Sequence, residues 1–428
     1  MKDSTIQENA QLTYDLISDV VNSTGPRLPG SEEEKKGANI FAMQLDSFGF
    51  EPHVEKFKVS PRASVASVPT LGILGFISIA AFYLSPAITF VISILVLTYG
   101  ILQIFTYTGA FDFIAQKYHS QNVYASIEPK NSQIDRTIVL SGHMDSSWNW
   151  KLSLQNPKTL AVKLSLGTLA IVFLFFLSLV AVCKGAKDFT YWETNIINQE
   201  DGTIENVGNL IMMLLPLLSV PGCFWLTQFL TLDKETACPG AMDNMSGVAL
   251  SLVCLKYFKE HPESMPKNTR LMCVAFGSEE AGLKGSKEFC KVHKKEFNDH
   301  YYVLNLDSFR DKDSFNVIEG DRWMGSHFDK ELVDLSLKTM EELGIENPIK
   351  FTNPAGGCDS TSFYRAGIKT VTLSGQSTKP TDYYHTNKDT VANLKMDALE
   401  QGFELVTTLV PKIAEMDMLK SSKPTKTK

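Results

Sequence analysis

Apolar and polar positions follow three distinct patterns along this chain. Residues 4–22 place apolar side chains at helical spacing behind a Ser4/Gln7 pair that fits a capping box, which predicts an N-terminal helix. The same periodicity predicts helices over 32–48, 245–259 and 331–343. Three short β-rich runs, Thr137–Leu140, Arg270–Phe276 and Tyr301–Leu306, are continuously apolar rather than alternating, as strands covered on both faces should be. Such strands, interleaved with helices, predict an α/β domain with a mainly parallel mixed sheet flanked by helices.

The third pattern is the absence of charge. No Asp, Glu, Lys or Arg lies between Arg62 and Asp112, and a bilayer core needs roughly 20 apolar residues per helical span, so this stretch predicts two spans turning at Ser85-Pro86. Leu164–Cys183 and Val207–Leu232 are two further uncharged runs, the second kinked by Pro216 and Pro221. Runs of 10–14 residues would read as buried core helices instead, but these are longer. The expected organisation is one discontinuous domain of residues 1–62, 112–159 and 233–420, with transmembrane hairpins at 63–111 and 160–232 and a flexible tail at 421–428.

An even number of spans per hairpin puts every polar piece on one side of the membrane. Lys56, Lys58, Arg62, Lys117, Lys151, Lys158, Lys163 and Lys234 flank the spans on that side, against Lys184 and Lys187 beyond it. The far loop carries Asp188, Glu193, Glu200, Asp201 and Glu205. By the positive-inside rule the polar domain of this multi-pass chain faces the cytoplasm. The N-terminal 62 residues show no cleavable signal. Asn22-Ser23-Thr24 is a glycosylation sequon that would count only if the domain faced outward.

Composition narrows the function. The 428 residues hold 41 Lys+Arg and 48 Asp+Glu, a net charge of −7, with 44% hydrophobic residues. Disordered, collagen-like and disulfide-scaffold chains are excluded, and a mildly acidic chain lacks the basic field of a nucleic-acid binder. Seven Cys without C-x-x-C spacing, several within apolar runs, read as reduced buried thiols.

The chemistry sits where the predicted strands end. Gly142-His143-Met144-Asp145 follows the first, Gly277-Ser278-Glu279-Glu280 the second and Asp307 the third. Sites in open α/β sheets form outside the carboxyl ends of strands, so residues distant in sequence converge there. Gly240–Gly247 adds Asp243 before a helix, and Tyr383–Thr390 adds His385 in a loop. Singly, each reads as a surface pair or an N-cap. Together they crowd carboxylates that only a highly charged cation makes compatible, and a mixed His and carboxylate set suits zinc or another divalent ion.

These segments, with Gly25-Pro-Arg27-Leu-Pro-Gly30-Ser31 before them and Cys358-Asp359-Ser-Thr-Ser-Phe363 after, resemble in order the co-catalytic di-zinc exopeptidase family of bacterial leucyl-type aminopeptidases and glutamate carboxypeptidases. The resemblance implies two divalent metal ions, Zn2+ by expectation. His143 and Asp307 would hold one, Glu280 and His385 the other, and Asp243 would bridge them. It implies Glu279 as general base, Asp145 as the carboxylate orienting His143, and a cis bond between Asp243 and Asn244. A peptide would be the substrate and an aminopeptidase the activity. Tyr383 or Tyr384 is a candidate donor to the developing oxyanion. His327, Arg322, Arg365 and Cys358 are candidates for the substrate pocket, and the remaining histidines, 53, 119, 261, 293 and 300, read as structural or exposed.

Three other readings compete. A glutaminyl-cyclase-like enzyme shares the resemblance but uses a single zinc. A silent receptor or scaffold would have lost ligands, whereas none is missing here. Spans forming a transport path would carry intramembrane charge, and these carry none, which favours an anchor in the bilayer.

Overall fold

The computed structural model describes residues 3–130, 132–149, 157–228, 237–379 and 381–421. Lys151, Lys234, the end of the fourth uncharged run at 229–232 and tail residues 422–428 lie outside these. The chain divides into two compact units, Met1–Pro61 with Gln116–Asn149 and Asp233–Lys428, and Arg62–Ala115 with Trp150–Leu232.

In the first unit nine strands form one sheet among the described residues: β1 (His53–Val59), β2 (Tyr118–Ile127), β3 (Arg136–His143), β4 (Thr269–Phe276), β5 (Tyr301–Phe309), β6 (Phe315–Asp321), β7 (Ser326–His327), β8 (Ile349–Asn353) and β9 (Lys369–Gly375). Their order is β1-β2-β4-β3-β5-β9-β6-β7, with β8 paired to β6. The centre, β4-β3-β5-β9, is parallel, and β2 and β6 flank it antiparallel.

Both faces of the central strands are covered, which is why their sequences are continuously apolar. Successive residues alternate between two separate cores: Ile138 and Leu140 of β3, Leu271 and Cys273 of β4, and Leu304 and Leu306 of β5 enter the larger one. Val139, Met272, Val274 and Val303 enter the smaller one on the opposite face. The large core is closed by α1 (Asp3–Thr24), α2 (Glu32–Ser47), α3 (Gly247–Glu260), α5 (Lys330–Glu342) and α7 (Met396–Ser421), through side chains such as Ile17, Phe41, Leu252, Leu332 and Phe403. Phe289 of α4 (Lys284–Val292) and Phe363 of α6 (Ser360–Arg365) close the small one.

Two details differ from the sequence reading. The first helix already runs at Asp3, so Ser4 lies inside it and the capping box belongs to α2 instead. There Ser31 Oγ accepts from Glu34 N at 3.0 Å while Glu34 Oε2 accepts from Gly30 N at 2.8 Å, a reciprocal pair that fixes the turn into the helix. The sheet also gains strands that the apolar runs do not reveal. β1 buries only Phe57 and Val59, and β2 and β9 carry Ser, Asn and Thr in buried positions, so neither apolar signal is present.

The second unit holds four helical segments long and apolar enough to cross a membrane: Ser67–Leu84, Pro86–Phe105, Val162–Cys183 and Val207–Thr227. Ser85 is extended and Pro86 opens the next helix, where its missing N–H and fixed φ suit the first turn. Pro216 and Pro221 break the last segment into helix, 3₁₀ turn and helix. Leu71, Val96, Leu174, Cys223 and Leu226 pack together inside this unit, and Thr89 Oγ1 donates to Ser78 O at 2.9 Å across the first hairpin. At one end Trp192 stacks on Phe82, ring centroids 5.7 Å apart.

Candidate metal centre

Five chain segments bring the predicted ligands together at the carboxyl ends of the central strands. His143 is the last residue of β3, and Asp307 lies near the end of the adjacent parallel β5. Glu279 and Glu280 follow β4 in a tight turn, and Asp243 lies in the irregular segment that leads into α3. Gly247 lets that helix start against β5: a Cβ there would stand 2.1 Å from Leu306 O. Asn244 spans the same gap, its Nδ2 donating to Leu306 O and its Oδ1 accepting from Gly247 N and Ser308 N. The Asp243–Asn244 bond is cis, as the resemblance implied.

Asp243 is the centre of the arrangement. Its Oδ1 is 3.1 Å from His143 Nε2 and its Oδ2 is 3.1 Å from His385 Nε2, so its two oxygens face two different imidazoles. His385 Nε2 is also 3.1 Å from Glu280 Oε1, a buried oxygen that receives no aligned hydrogen bond. Among the described residues, His143, Asp243 and Glu280 each offer one ligand atom within 4.8 Å of the others. Tyr384 stacks on His385 with centroids 3.9 Å apart, which fixes the plane of that imidazole.

Asp145 ties His143 to Glu279 and Glu280. Its Oδ1 accepts from Glu279 N and its Oδ2 from Glu280 N, each at 3.0 Å, while Oδ1 lies 3.6 Å from His143 Nδ1. Asp145 therefore meets the β3 imidazole through its backbone carbonyl, 3.3 Å from His143 Nδ1, and holds Glu279 and Glu280 through its buried carboxylate. Left-handed backbone at Ser278 (φ 55°), Ser308 (φ 63°) and His385 (φ 53°) marks three of the converging segments. Each such non-glycine residue costs on the order of 1 kcal/mol and persists only where the surroundings enforce it.

The electrostatics show what this cluster lacks. Burial alone would make His143 less basic, yet Glu279, Asp145 and Asp243 outweigh it and hold the imidazole well above its usual range. His385 is likewise opposed by burial and pulled up to about 10, chiefly by Glu280 and Asp243. Burial resists ionisation of Asp243, but its hydrogen bonds with the two histidines prevail and keep it below the usual carboxylate range. Asp307 is pushed up to about 6 by burial and by Asp243, against the pull of His143. Burial also raises Glu279, against the pull of His143. Imidazoles held protonated, with the Glu279 and Asp307 carboxyls pushed upward by burial and like charge, mean that positive charge is short. Two histidine nitrogens among carboxylate oxygens are the donor set a divalent ion such as zinc takes, so the residues fit the metal.

The sequence reading missed two carboxylates. Asp389 is buried and accepts from Met242 N at 2.7 Å and Asp243 N at 3.1 Å, so it fixes the backbone that carries Asp243. Its signal was present in the His385-Thr-x-x-Asp389-Thr segment, which drew attention only for its histidine. Asp359 is buried beside the cluster, and burial pushes it up to about 7 against the pull of His143. Of the tyrosines, Tyr383 donates its hydroxyl to Asp311 Oδ2 at 2.8 Å beneath Arg310, which makes it part of the loop's packing. Of the pocket candidates, Arg322, His327 and Arg365 are exposed, and Cys358 is buried with its Sγ 3.0 Å from Thr372 Oγ1.

Residues 231–410 match the family described as Peptidase family M28. A curated relative, aminopeptidase YwaD of Bacillus subtilis (strain 168), is 27% identical over 188 residues, 42% of this chain and 38% of its own length, so the match spans well under half of that relative. Among solved structures, an aminopeptidase from Aneurinibacillus sp. strain AM-1 superposes with a TM-score of 0.53 at 15% identity, covering 96% of this chain and 95% of its own. BSAP, a zinc aminopeptidase from Bacillus subtilis, gives 0.52 at 14% identity, covering 98% and 96%. An Acidobacteriales bacterium glutaminyl cyclase gives 0.52 at 13%, covering 95% of each chain. The fold is that of the zinc aminopeptidases.

Proposed function

With residues 231–410 carrying the Peptidase family M28 sequence on a zinc-aminopeptidase fold, we propose that this protein is a zinc-dependent aminopeptidase. We further propose that it holds two ions and is anchored in a bilayer by its four apolar segments. The observation that carries the two-ion reading is Asp243, whose oxygens face His143 and His385 separately. His143 and Asp307 would hold one ion and Glu280 and His385 the other, with Asp243 shared between them. Zinc bound there supplies Lewis acidity toward a peptide carbonyl and lowers the pKa of water.

The rest of the chemistry belongs to the chain. Glu279 is buried beside the ligands without being one of them, and Asp145 holds it through its N–H. It takes the proton from the attacking water and delivers it to the departing amine, so the same carboxylate serves as base and then as acid. Asp145 also fixes the His143 ring, which keeps the imidazole facing Asp243.

The membrane reading rests on the length and apolarity of the four segments. The lysine and arginine distribution supports the polar unit facing the cytoplasm. Asn22 is exposed near the end of α1, so a glycan found there would place that unit on the other side.

The deciding measurement is metal content per chain of detergent-purified protein, wild type beside Asp243→Ala, with leucyl-anilide hydrolysis on the same samples. Two zinc ions with chelator-sensitive hydrolysis, both lost in the variant, are expected. A single zinc with no hydrolysis would favour glutamine cyclisation, the activity named for one of the fold's neighbours. No metal after remetallation would overturn the enzyme reading.

A further inference from the structure

The segment Gly25–Ser31 has no part in the chemistry above, yet its arginine reaches the floor of the metal centre. Arg27 is fully buried, and it shares that state with few cations: among the described residues the other buried lysine or arginine is Arg136. Its Nε donates to Met144 O at 2.7 Å, one Nη to Gly25 O at 3.1 Å and Pro239 O at 2.9 Å, and the other Nη to Gly240 O at 2.7 Å. Its backbone closes the same knot, with Arg27 N donating to Ser146 Oγ at 2.8 Å and Ser146 N to Arg27 O at 3.0 Å.

These acceptors are not scattered. Met144 lies between His143 and Asp145, and Pro239-Gly240 lead directly into Asp243. The guanidinium therefore joins the strand end that presents one imidazole to the segment that presents the shared carboxylate. Its planar fork suits this, because donors in fixed directions define the separation of the carbonyls they reach. Gly240 adopts φ +69°, and a Cβ there would stand 2.9 Å from an Arg27 Nη and 2.5 Å from Ser146 Cβ, so the backbone is shaped to the guanidinium. Burial draws Arg27 down only to about 10, with Asp389, Asp145 and Glu34 pulling upward, so it stays charged at neutral pH.

We infer that Arg27 is a positioning residue of the metal centre, which fixes the spacing of His143 and Asp243 through four carbonyl hydrogen bonds and places a resident positive charge under the carboxylates. The inference rests on the zinc reading above and extends it to the N-terminal segment. Arg27 touches no substrate and no ligand atom, so its effect appears in the affinity of the centre for metal.

The test compares the two buried arginines in the full chain. Arg27→Lys keeps the charge and removes the fork, and Arg136→Lys makes the same exchange at the amino ends of the strands. Zinc affinity is measured by chelator competition, and the thermal midpoint is measured with and without zinc. Arg27→Lys is expected to lose about 10–100-fold in zinc affinity, the range for residues that orient metal ligands. Its zinc-induced rise in midpoint should shrink, whereas Arg136→Lys lowers the metal-free midpoint and leaves both zinc readouts as in wild type. Should Arg27→Lys fail to fold, Ser146→Ala removes one hydrogen bond from the same knot and is expected to give a smaller loss of the same kind. Wild-type zinc affinity in the folded Arg27 or Ser146 variant overturns the inference. Absence of zinc binding by the wild type would instead overturn the function proposed above.

Discussion

Each end of the central strands buries an arginine, and the two ends treat it differently. At the amino ends, Arg136 opens β3 and donates through Nε to Asp417 of α7 at 2.9 Å. The same carboxylate accepts from His300 Nδ1 and Tyr302 OH, each at 2.7 Å, so cation and anion meet within one network. At the carboxyl ends, the Arg27 guanidinium donates to carbonyls, while the carboxylates of Asp145, Asp243, Glu279, Glu280, Asp307, Asp359 and Asp389 gather around the two imidazoles. The closed network holds the fold together. The open one is short of positive charge, and a divalent ion would supply that charge.

Glu279 is the sharpest way to separate chemistry from structure at the open end. Glu279→Gln keeps the shape and the N–H bond to Asp145 and removes the base. Its kcat for leucyl-anilide is expected to fall by about 10²–10⁴, the range of positioned proton transfer, with two zinc ions still bound and the thermal midpoint unchanged. Activity within a few-fold of wild type would reassign the base. At the closed end the effect is inverted. Asp417→Ala leaves Arg136 buried without its partner, and breaking a buried pair costs about 3–5 kcal/mol. Chemical or thermal unfolding should register that loss while zinc content and kcat stay at wild-type levels, and a drop in zinc content would show that the two ends are not independent.

The sequence discloses these two ends unequally. The ligand segments were legible because each follows an apolar run that both cores require: Ile138 and Val139 lead to His143, Val274 and Phe276 to Glu279, and Leu304 and Leu306 to Asp307. The order of the motifs then assembled Asp243 and His385 with them. Asp417 was not legible, since it sits on the last helix, 281 residues from Arg136, with nothing local to announce their meeting. His293 is a similar case, stacked on Phe289 and flanked by Glu55 and Glu296 at 2.7 Å, a pairing that depends on β1 lying across the sheet edge. Edge strand β1 escaped because it is only half-buried and central β9 because its buried Thr and Ser break the apolar signature, and Arg27 escaped because its acceptors are backbone carbonyls, which carry no mark in the sequence.

The smallest expected effect concerns acid, and it follows from the charge on Asp417. Burial pushes this carboxyl upward, but the donors Tyr302, His300 and Arg136 prevail and hold it below its usual range. A carboxylate lowered in the folded state binds fewer protons there than in the unfolded chain. Its contribution is therefore complete above the ordinary aspartate value near 4, and it is lost as pH falls through the lower folded value. Asp417→Asn keeps the shape without the charge, so at neutral pH it should cost about 1–3 kcal/mol, the worth of hydrogen bonds to a charged group. That deficit should close as the pH drops below about 4, because the wild type loses there what the variant never had. The comparison is made on chelator-treated protein, where the carboxylates of the open end titrate alike in both samples and cancel in the difference. A deficit that stays constant down to pH 3 would mean that shape rather than charge holds α7 to the amino ends of the strands.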